Sequence, residues 1–191
     1  MWSKIRQLHS IEYKNFRVTR DLISIGDSEE IEYEYIDKLP GVTILPILPD
    51  NRIVLLRQFR YLCNQECWEL PGGRANLNEA LVYSASRELK EETGYEADEI
   101  LPLFDTYSSP GVSKEKVHIF CAKGLHDGRA SLESTERDVV VGFFTYDECI
   151  SKITNGEIVS AVDALAITYM FMKEGVRHFP SRDRDQVKPH S

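Results

Sequence analysis

The stretch from Gly73 to Tyr95, GRANLNEALVYSASRELKEETGY, constrains this chain more than any other. It follows a Pro71-Gly72-Gly73 turn and runs as an amphipathic segment to Thr93-Gly94. The spacing predicts a helix in which Arg87, Glu88, Glu91 and Glu92 fall within two turns. Residues three and four apart share a helix face, so Glu88, Glu91 and Glu92 aim their carboxylates at roughly one place. Like charges at this spacing cost a helix roughly 0.2–0.5 kcal/mol per pair, which points to a cation among them. Leu77, Leu81, Val82, Ala85 and Leu89 form the opposite, apolar stripe expected of a helix packed on a sheet. Gly94 suits the helix stop, and Gly72-Gly73 suit a loop whose backbone comes close to a bound group.

Gly73, Glu79, Arg87, Glu88, Leu89, Glu91, Glu92 and Gly94 meet every fixed letter of the pattern G-x5-E-x7-R-E-U-x-E-E-x-G-U, with U aliphatic. The segment thus resembles the Nudix box, departing from it only in Tyr95, where Ile, Leu or Val is usual. In a chain of 191 residues such a match arises by chance with a probability below roughly one in a million. The resemblance implies an α/β fold, the Nudix α/β/α sandwich with a mixed sheet, over residues 40–175. It also implies that Glu88, Glu91, Glu92 and the carbonyl of Gly72 hold Mg²⁺ or Mn²⁺, hard cations that favour oxygen ligands and bridge phosphates. Arg87 then orients a neighbouring glutamate, Glu92 counts with the catalytic groups, and Glu79 supports the helix or a further ion.

Composition narrows the partners. A formal charge of −8 argues against nucleic-acid binding, and an anionic phosphorylated substrate then calls for local cations. Hydrophobic content of 42% and charged content of 28% are those of a water-soluble globular domain. No signal-peptide core and no membrane-length apolar run is visible, so the expectation is a cytoplasmic protein without a membrane partner. Cys63, Cys67, Cys121 and Cys149 lack metal-finger spacing and read as free thiols.

Ahead of the box, residues 12–25 and 30–38 are rich in β-branched and aromatic residues and flank Gly26-Asp27-Ser28. They predict an antiparallel hairpin or small sheet, with Ile31, Tyr33 and Tyr35 on one face and Glu30, Glu32 and Glu34 on the other. The division expected is an extension over 1–39, the main domain over 40–175 and a loose tail over 176–191. In Nudix hydrolases of nucleoside diphosphate sugars, such an N-terminal sheet commonly joins two subunits, which implies a homodimer.

Two apolar strands follow, 42–48 and 52–60, and Pro46 assigns the first a bulge or an edge position. The second ends in Arg57-Gln58-Phe59-Arg60, and alternation puts Arg57 and Arg60 on opposite faces. Either arginine can clamp phosphate oxygens through its fork of N–H donors or simply solvate a strand end. The run RQFR ahead of WELPGG is similar to ADP-ribose pyrophosphatases and favours Arg60 as the diphosphate ligand, with Arg57 beside it. Glu69 is either a further acidic site residue or a partner of Arg60 and Arg74.

Residues 100–107 and 117–122 read as strands around a Ser-Pro-Gly loop. Pro110, sixteen residues after Gly94, is either a plain loop proline or, by resemblance, a substrate-side marker of the ADP-ribose pyrophosphatase branch. His118 reads as a packed or edge histidine. A polar loop over 124–138 precedes the strand 139–144. By resemblance it carries the glutamate that deprotonates water; Glu133, Glu136 and Asp138 compete, Arg137 stands where an acid is common, and Glu136 is the choice. A short helix begins at Tyr146-Asp147-Glu148, and Ser160 caps a longer one that apolar residues wrap for the most part, as in a buried helix.

The implied reaction is metal-dependent hydrolysis of a nucleoside diphosphate linked to another moiety, ADP-ribose to AMP and ribose 5-phosphate first. The competing readings are a hydrolase of another nucleoside diphosphate sugar or dinucleotide, and a non-catalytic sensor of an ADP-ribose-type ligand. Sensors of this kind usually lose box glutamates, and here all are present.

Overall fold

The computed structural model describes residues 1–26, 29–127 and 139–173. The first strand is β1 (Trp2–Glu12), followed by β2 (Arg17–Ile25) and β3 (Glu29–Asp37). These form a three-stranded antiparallel sheet in the order β1-β2-β3. The expected hairpin is thus β2 and β3, and residues 2–12 add a strand that composition did not suggest. Tyr35 is buried on β3 while Glu30, Glu32 and Glu34 are exposed, as alternation requires.

The main body begins with β4 (Gly41–Pro46), β5 (Ile53–Arg60), β6 (Gln65–Glu69) and the short β7 (Gly72–Arg74). Helix α1 (Leu81–Thr93) leads into the long hairpin of β8 (Tyr95–Tyr107) and β9 (Lys116–Asp127), then β10 (Val140–Phe144), α2 (Tyr146–Thr154) and α3 (Ala161–Lys173). One sheet runs β7-β4-β9-β8 and another β10-β5-β6. β4 lies parallel to β9 and antiparallel to β7, so the first of these is mixed.

Side chains on the two faces of β4 enter different cores. Val42 and Ile44 pack with Val54, Phe120 and Ala122 against Ala85 and Leu89 of α1. Leu45 packs with Ile53, Leu55, Ile119 and Cys121 against Ile150 of α2 and Ile167, Met170 and Phe171 of α3. Helices therefore cover both faces of the central strands, the α/β/α sandwich that was expected. Strands buried on both sides read as continuous apolar runs, which is why VTILPIL and RIVLL lack alternation.

Three local expectations are corrected. Pro46 is neither at an edge nor at a bulge: β4 is internal, and Pro46 stands at its end, beyond the Gly41–Thr43 span paired with β7. The missing N–H therefore deprives no partner strand. Leu77 lies ahead of α1 and is exposed, so the buried stripe is Ala85 and Leu89 with half-buried Leu81. α3 is less buried than its mostly apolar surface suggests, since Leu165 and Met172 are exposed.

The ends of the helices have physical causes. Thr145 Oγ1 accepts from the Glu148 amide (3.3 Å) while Glu148 Oε2 accepts from the Thr145 amide (2.7 Å). This capping box is worth about 1 kcal/mol. α1 has no side-chain cap at Ala80, but its far end is held tightly. There Gly94, at φ 76°, donates its amide to the Lys90 carbonyl (3.0 Å), and the Thr93 hydroxyl donates to the Leu89 carbonyl (2.5 Å). Left-handed φ at this position favours glycine. β8 starts at once after Gly94 rather than at residue 100, and β9 continues through Gly124–Asp127, where a loop was expected.

All four cysteines are free, with Cys63 exposed and the other three buried. Burial pushes the Cys149 thiol up to about 12, which keeps it protonated near neutral pH. Among the described residues, no helix is long and apolar enough to cross a membrane. The tail 176–191 and the loop acids Glu133, Glu136 and Asp138 lie outside the described residues.

Candidate active site

A cleft of about 580 Å³ opens where β4, β6, β7 and the start of α3 meet. Gly72, Gly73, Arg74, Arg60, Glu69 and Asp163 are among the residues that line it. The glycines are there for contact reasons. A Cβ on Gly72 would stand 2.4 Å from the Val42 carbonyl oxygen, and one on Gly73 would stand 2.5 Å from the Glu88 carboxyl group.

α1 meets this turn through its acids. Glu92 is buried, and its Oε2 accepts from the Gly72 amide at 2.8 Å. The guanidinium of Arg87 binds Glu91 (2.8 Å) and Glu88 (2.9 Å) through Nη1, and its Nη2 donates to the Arg74 carbonyl at 3.1 Å. Arg87 also lies 3.6 Å from Glu79, which accepts from Ser84 Oγ (2.7 Å) and Asn76 Nδ2 (3.0 Å). Glu79 thus ties the approach loop to the first turn of α1. The like charges predicted to repel are spread around one cation and one backbone amide.

Arg60 and Glu69 form the second charged group. Arg60 Nε donates to Glu69 at 2.8 and 2.9 Å and Nη2 donates at 2.5 Å, while Gln58 Nε2 adds a bond of 3.1 Å. Glu69 is buried, whereas about half of the Arg60 side chain reaches solvent. The hydrogen bonds to Glu69 raise the Arg60 guanidinium above its ordinary value. Of the two open readings for Glu69, the pair with Arg60 is the one observed; both groups also line the cleft.

Arg57 and Pro110 are not brought to it. Arg57 stacks on Trp68 (5.7 Å to the ring centroid) and pairs with Glu66 at 3.4 Å. Pro110 lines a different pocket, about 340 Å³, with Trp2, Tyr33, Tyr35 and Lys114. His118 Nδ1 lies 2.8 Å from Asp105, a packed histidine as expected. Sequence reasoning passed over Asp163, which lines the cleft from α3. A lone acid three residues after the Ser160 cap in an otherwise apolar helix was the available signal, since buried acids are rare without a partner.

The donor set on α1 and Gly72 is oxygen throughout, which fits a hard divalent cation. Among the described residues, no three His, Cys, Asp or Glu side chains already converge as a cage. Arg87 and the Gly72 amide engage those carboxylates instead.

Comparisons with known proteins show the family of the chain. The NUDIX domain model matches residues 37–161, and the chain belongs to the Nudix family. It is 33% identical to an ADP-ribose pyrophosphatase of Bacillus subtilis (strain 168) over 73% of this chain and 77% of that protein. It is 31% identical to a GDP-mannose pyrophosphatase of Escherichia coli (strain K12), covering 85% of this chain and 86% of that one. Among solved structures, one described as an ADP compounds hydrolase superposes with a TM-score of 0.76 at 17% identity, over 91% of this chain and 96% of the other. At that identity the likeness concerns the fold.

Proposed function

We propose that the protein is a divalent-metal-dependent Nudix pyrophosphohydrolase of nucleoside diphosphate sugars, with ADP-ribose as its first substrate. The observation that carries this is the Glu92–Gly72 bond. It joins the acid-bearing helix to the turn lining a cleft from which the half-exposed Arg60 can meet an anionic diphosphate. The similarity to proteins named ADP-ribose and GDP-mannose pyrophosphatases supports the substrate class. Another nucleoside diphosphate sugar is the second choice.

In this reading Glu88, Glu91, Glu92 and the Gly72 carbonyl hold Mg²⁺ or Mn²⁺. The bound cation supplies charge neutralisation for the diphosphate and a more acidic water. Arg87 fixes the rotamers of Glu88 and Glu91, a support that typically matters 10–100-fold. Glu69 holds Arg60 so that its remaining N–H donors face the phosphates, where charge-assisted bonds are strongest. Glu136, outside the described residues, takes the proton of the attacking water. The water oxygen bonds to one phosphorus as the bridging P–O bond breaks, giving AMP and ribose 5-phosphate from ADP-ribose.

The same proposal includes an N-terminal extension over 1–39, a catalytic domain over 40–175 and a separate tail over 176–191. It also includes a cytoplasmic homodimer joined through the N-terminal sheet. Exposed Trp2, Ile5 and Ile11 on β1, the end strand of that sheet, support the dimer. The test is hydrolysis of ADP-ribose, GDP-mannose, NADH and dinucleoside polyphosphates with and without Mg²⁺. Metal-dependent cleavage of the sugar nucleotides is expected; binding without turnover of any of them would replace the enzyme with a sensor.

A further inference from the structure

The α3 side of the cleft carries a carboxyl group that the reaction above does not use. Asp163 lies in the first turn of α3, is only 6% exposed, and lines the cleft beside Ser160 and Val162. Its Oδ2 accepts the amide of Leu70 at 3.2 Å, and its own amide donates to Ser160 Oγ at 3.3 Å. Leu70 stands between Glu69 and the Pro71-Gly72 turn.

The segment is thereby held at three successive residues. Asp163 takes the Leu70 amide, the Ile44 amide donates to the Pro71 carbonyl (2.9 Å), and Glu92 takes the Gly72 amide. Two of the three restraints are buried carboxylates, one from α3 and one from α1, so helices on opposite faces of the sheet grip one short strand connection. An apolar side chain at 163 would avoid the cost of burying a carboxyl but would leave the Leu70 amide without its acceptor. The charged neighbours act in opposite senses, with Glu69 repelling the carboxylate and Arg60 attracting it.

We propose that Asp163 is a positioning residue for the hydrolysis proposed above: through the Leu70 amide it sets the Glu69–Gly73 segment, so that the Arg60–Glu69 pair and the Gly72 turn face one cleft. The catalytic consequence rests on that reading, whereas the clamp on Leu70 does not. The variants that test it are Asp163→Ala, which removes the acceptor, and Asp163→Asn, whose side-chain carbonyl can accept the same hydrogen bond. Both are made in the full chain and followed by steady-state kinetics on ADP-ribose with Mg²⁺, thermal melting, and hydrogen exchange at the Leu70 amide.

Asp163→Ala is expected to lower kcat about 10- to 100-fold with a much smaller change in KM, and to speed exchange at Leu70. Asp163→Asn is expected to restore both. The proposal is overturned if Asp163→Ala keeps kcat within about twofold of the parent, or if Asp163→Asn melts normally yet is as slow as the alanine variant. Should the alanine variant not fold, an Asp163→Asn variant that melts normally with kcat at least about tenfold below the parent overturns the proposal. If the parent protein cleaves none of the nucleotides, the functional reading fails, and exchange at Leu70 still judges the clamp. Unchanged protection in a folded Asp163→Ala would overturn it.

Discussion

On α1, Glu88, Glu91 and Glu92 follow one another within a turn and a half; the first two share Arg87, and Glu92 takes the Gly72 amide. On α3, Asp163 reaches Leu70 across 93 positions of sequence, and its charged neighbours Glu69 and Arg60 come from two further strands. The first cluster is local, partly open to water and balanced by a cation beside it. The second is assembled by the tertiary fold, deeply buried and short of positive charge. The difference teaches that acids arranged by helix periodicity can announce their chemistry in the sequence, whereas acids arranged by packing show it only in three dimensions.

The sharpest way to break the comparison is at Glu92. Glu92→Gln keeps the shape of the side chain and removes its charge, and turnover of ADP-ribose is expected to fall on the order of 100-fold or more. Circular dichroism of the variant should match the parent; near-normal turnover would strip the local cluster of its role. Next in size is Arg60→Ala, which takes a charge-assisted contact from the substrate worth about 1.5–3 kcal/mol. KM should rise about tenfold or more, and a KM equal to the parent's would separate Arg60 from the phosphates.

The buried cluster is sharpened by pH. Burial, with Glu69 adding to it, pushes the Asp163 carboxyl up to about 7, while the Leu70 amide, Ser160 and Arg60 pull the other way. The native state therefore holds this proton more tightly than the unfolded chain, and stability falls as pH rises from about 4 to about 7. Above that range the loss is complete. Asparagine cannot ionise, so Asp163→Asn should be more stable than the parent above pH 7, by up to about 4 kcal/mol for a carboxyl raised to about 7, with the gap closing towards pH 4. Parallel melting curves across that range would show that the carboxyl does not titrate there. The smallest effect is expected at Arg57→Ala, where KM should move by less than about twofold because the side chain lies on Trp68 and Glu66.

How much was legible follows the same division. The helix α1, its glycine stop at Gly94 and the glycine turn before it were readable because each is set by residues close in sequence. The apolar runs of β4 and β5 gave the buried strands. β1 was missed because its register shifts between Lys4 and Arg6 and again between Gln7 and His9, and such bulges break the period of two on which strand reading depends. Pro46 misled because a proline rule says nothing about where a partner strand ends. The Arg60–Glu69 pair was visible as one of two options, since cross-strand register cannot be read from either strand alone. Asp163 was hidden by the apolar residues around it, which described the helix correctly and its one acid not at all.

The unequal fastening of α1 has a mechanical consequence. Nothing from a side chain grips the backbone at Ala80, while Gly94 and Thr93 lock the last turn and pass straight into a thirteen-residue strand. Unwinding should therefore be confined to Leu81–Tyr83, ahead of the buried Ser84 that Glu79 holds, leaving the acid-bearing half stiff even when those residues are loose. Geometry at the Gly72 turn is in this way insulated from fluctuations at the end of the same helix.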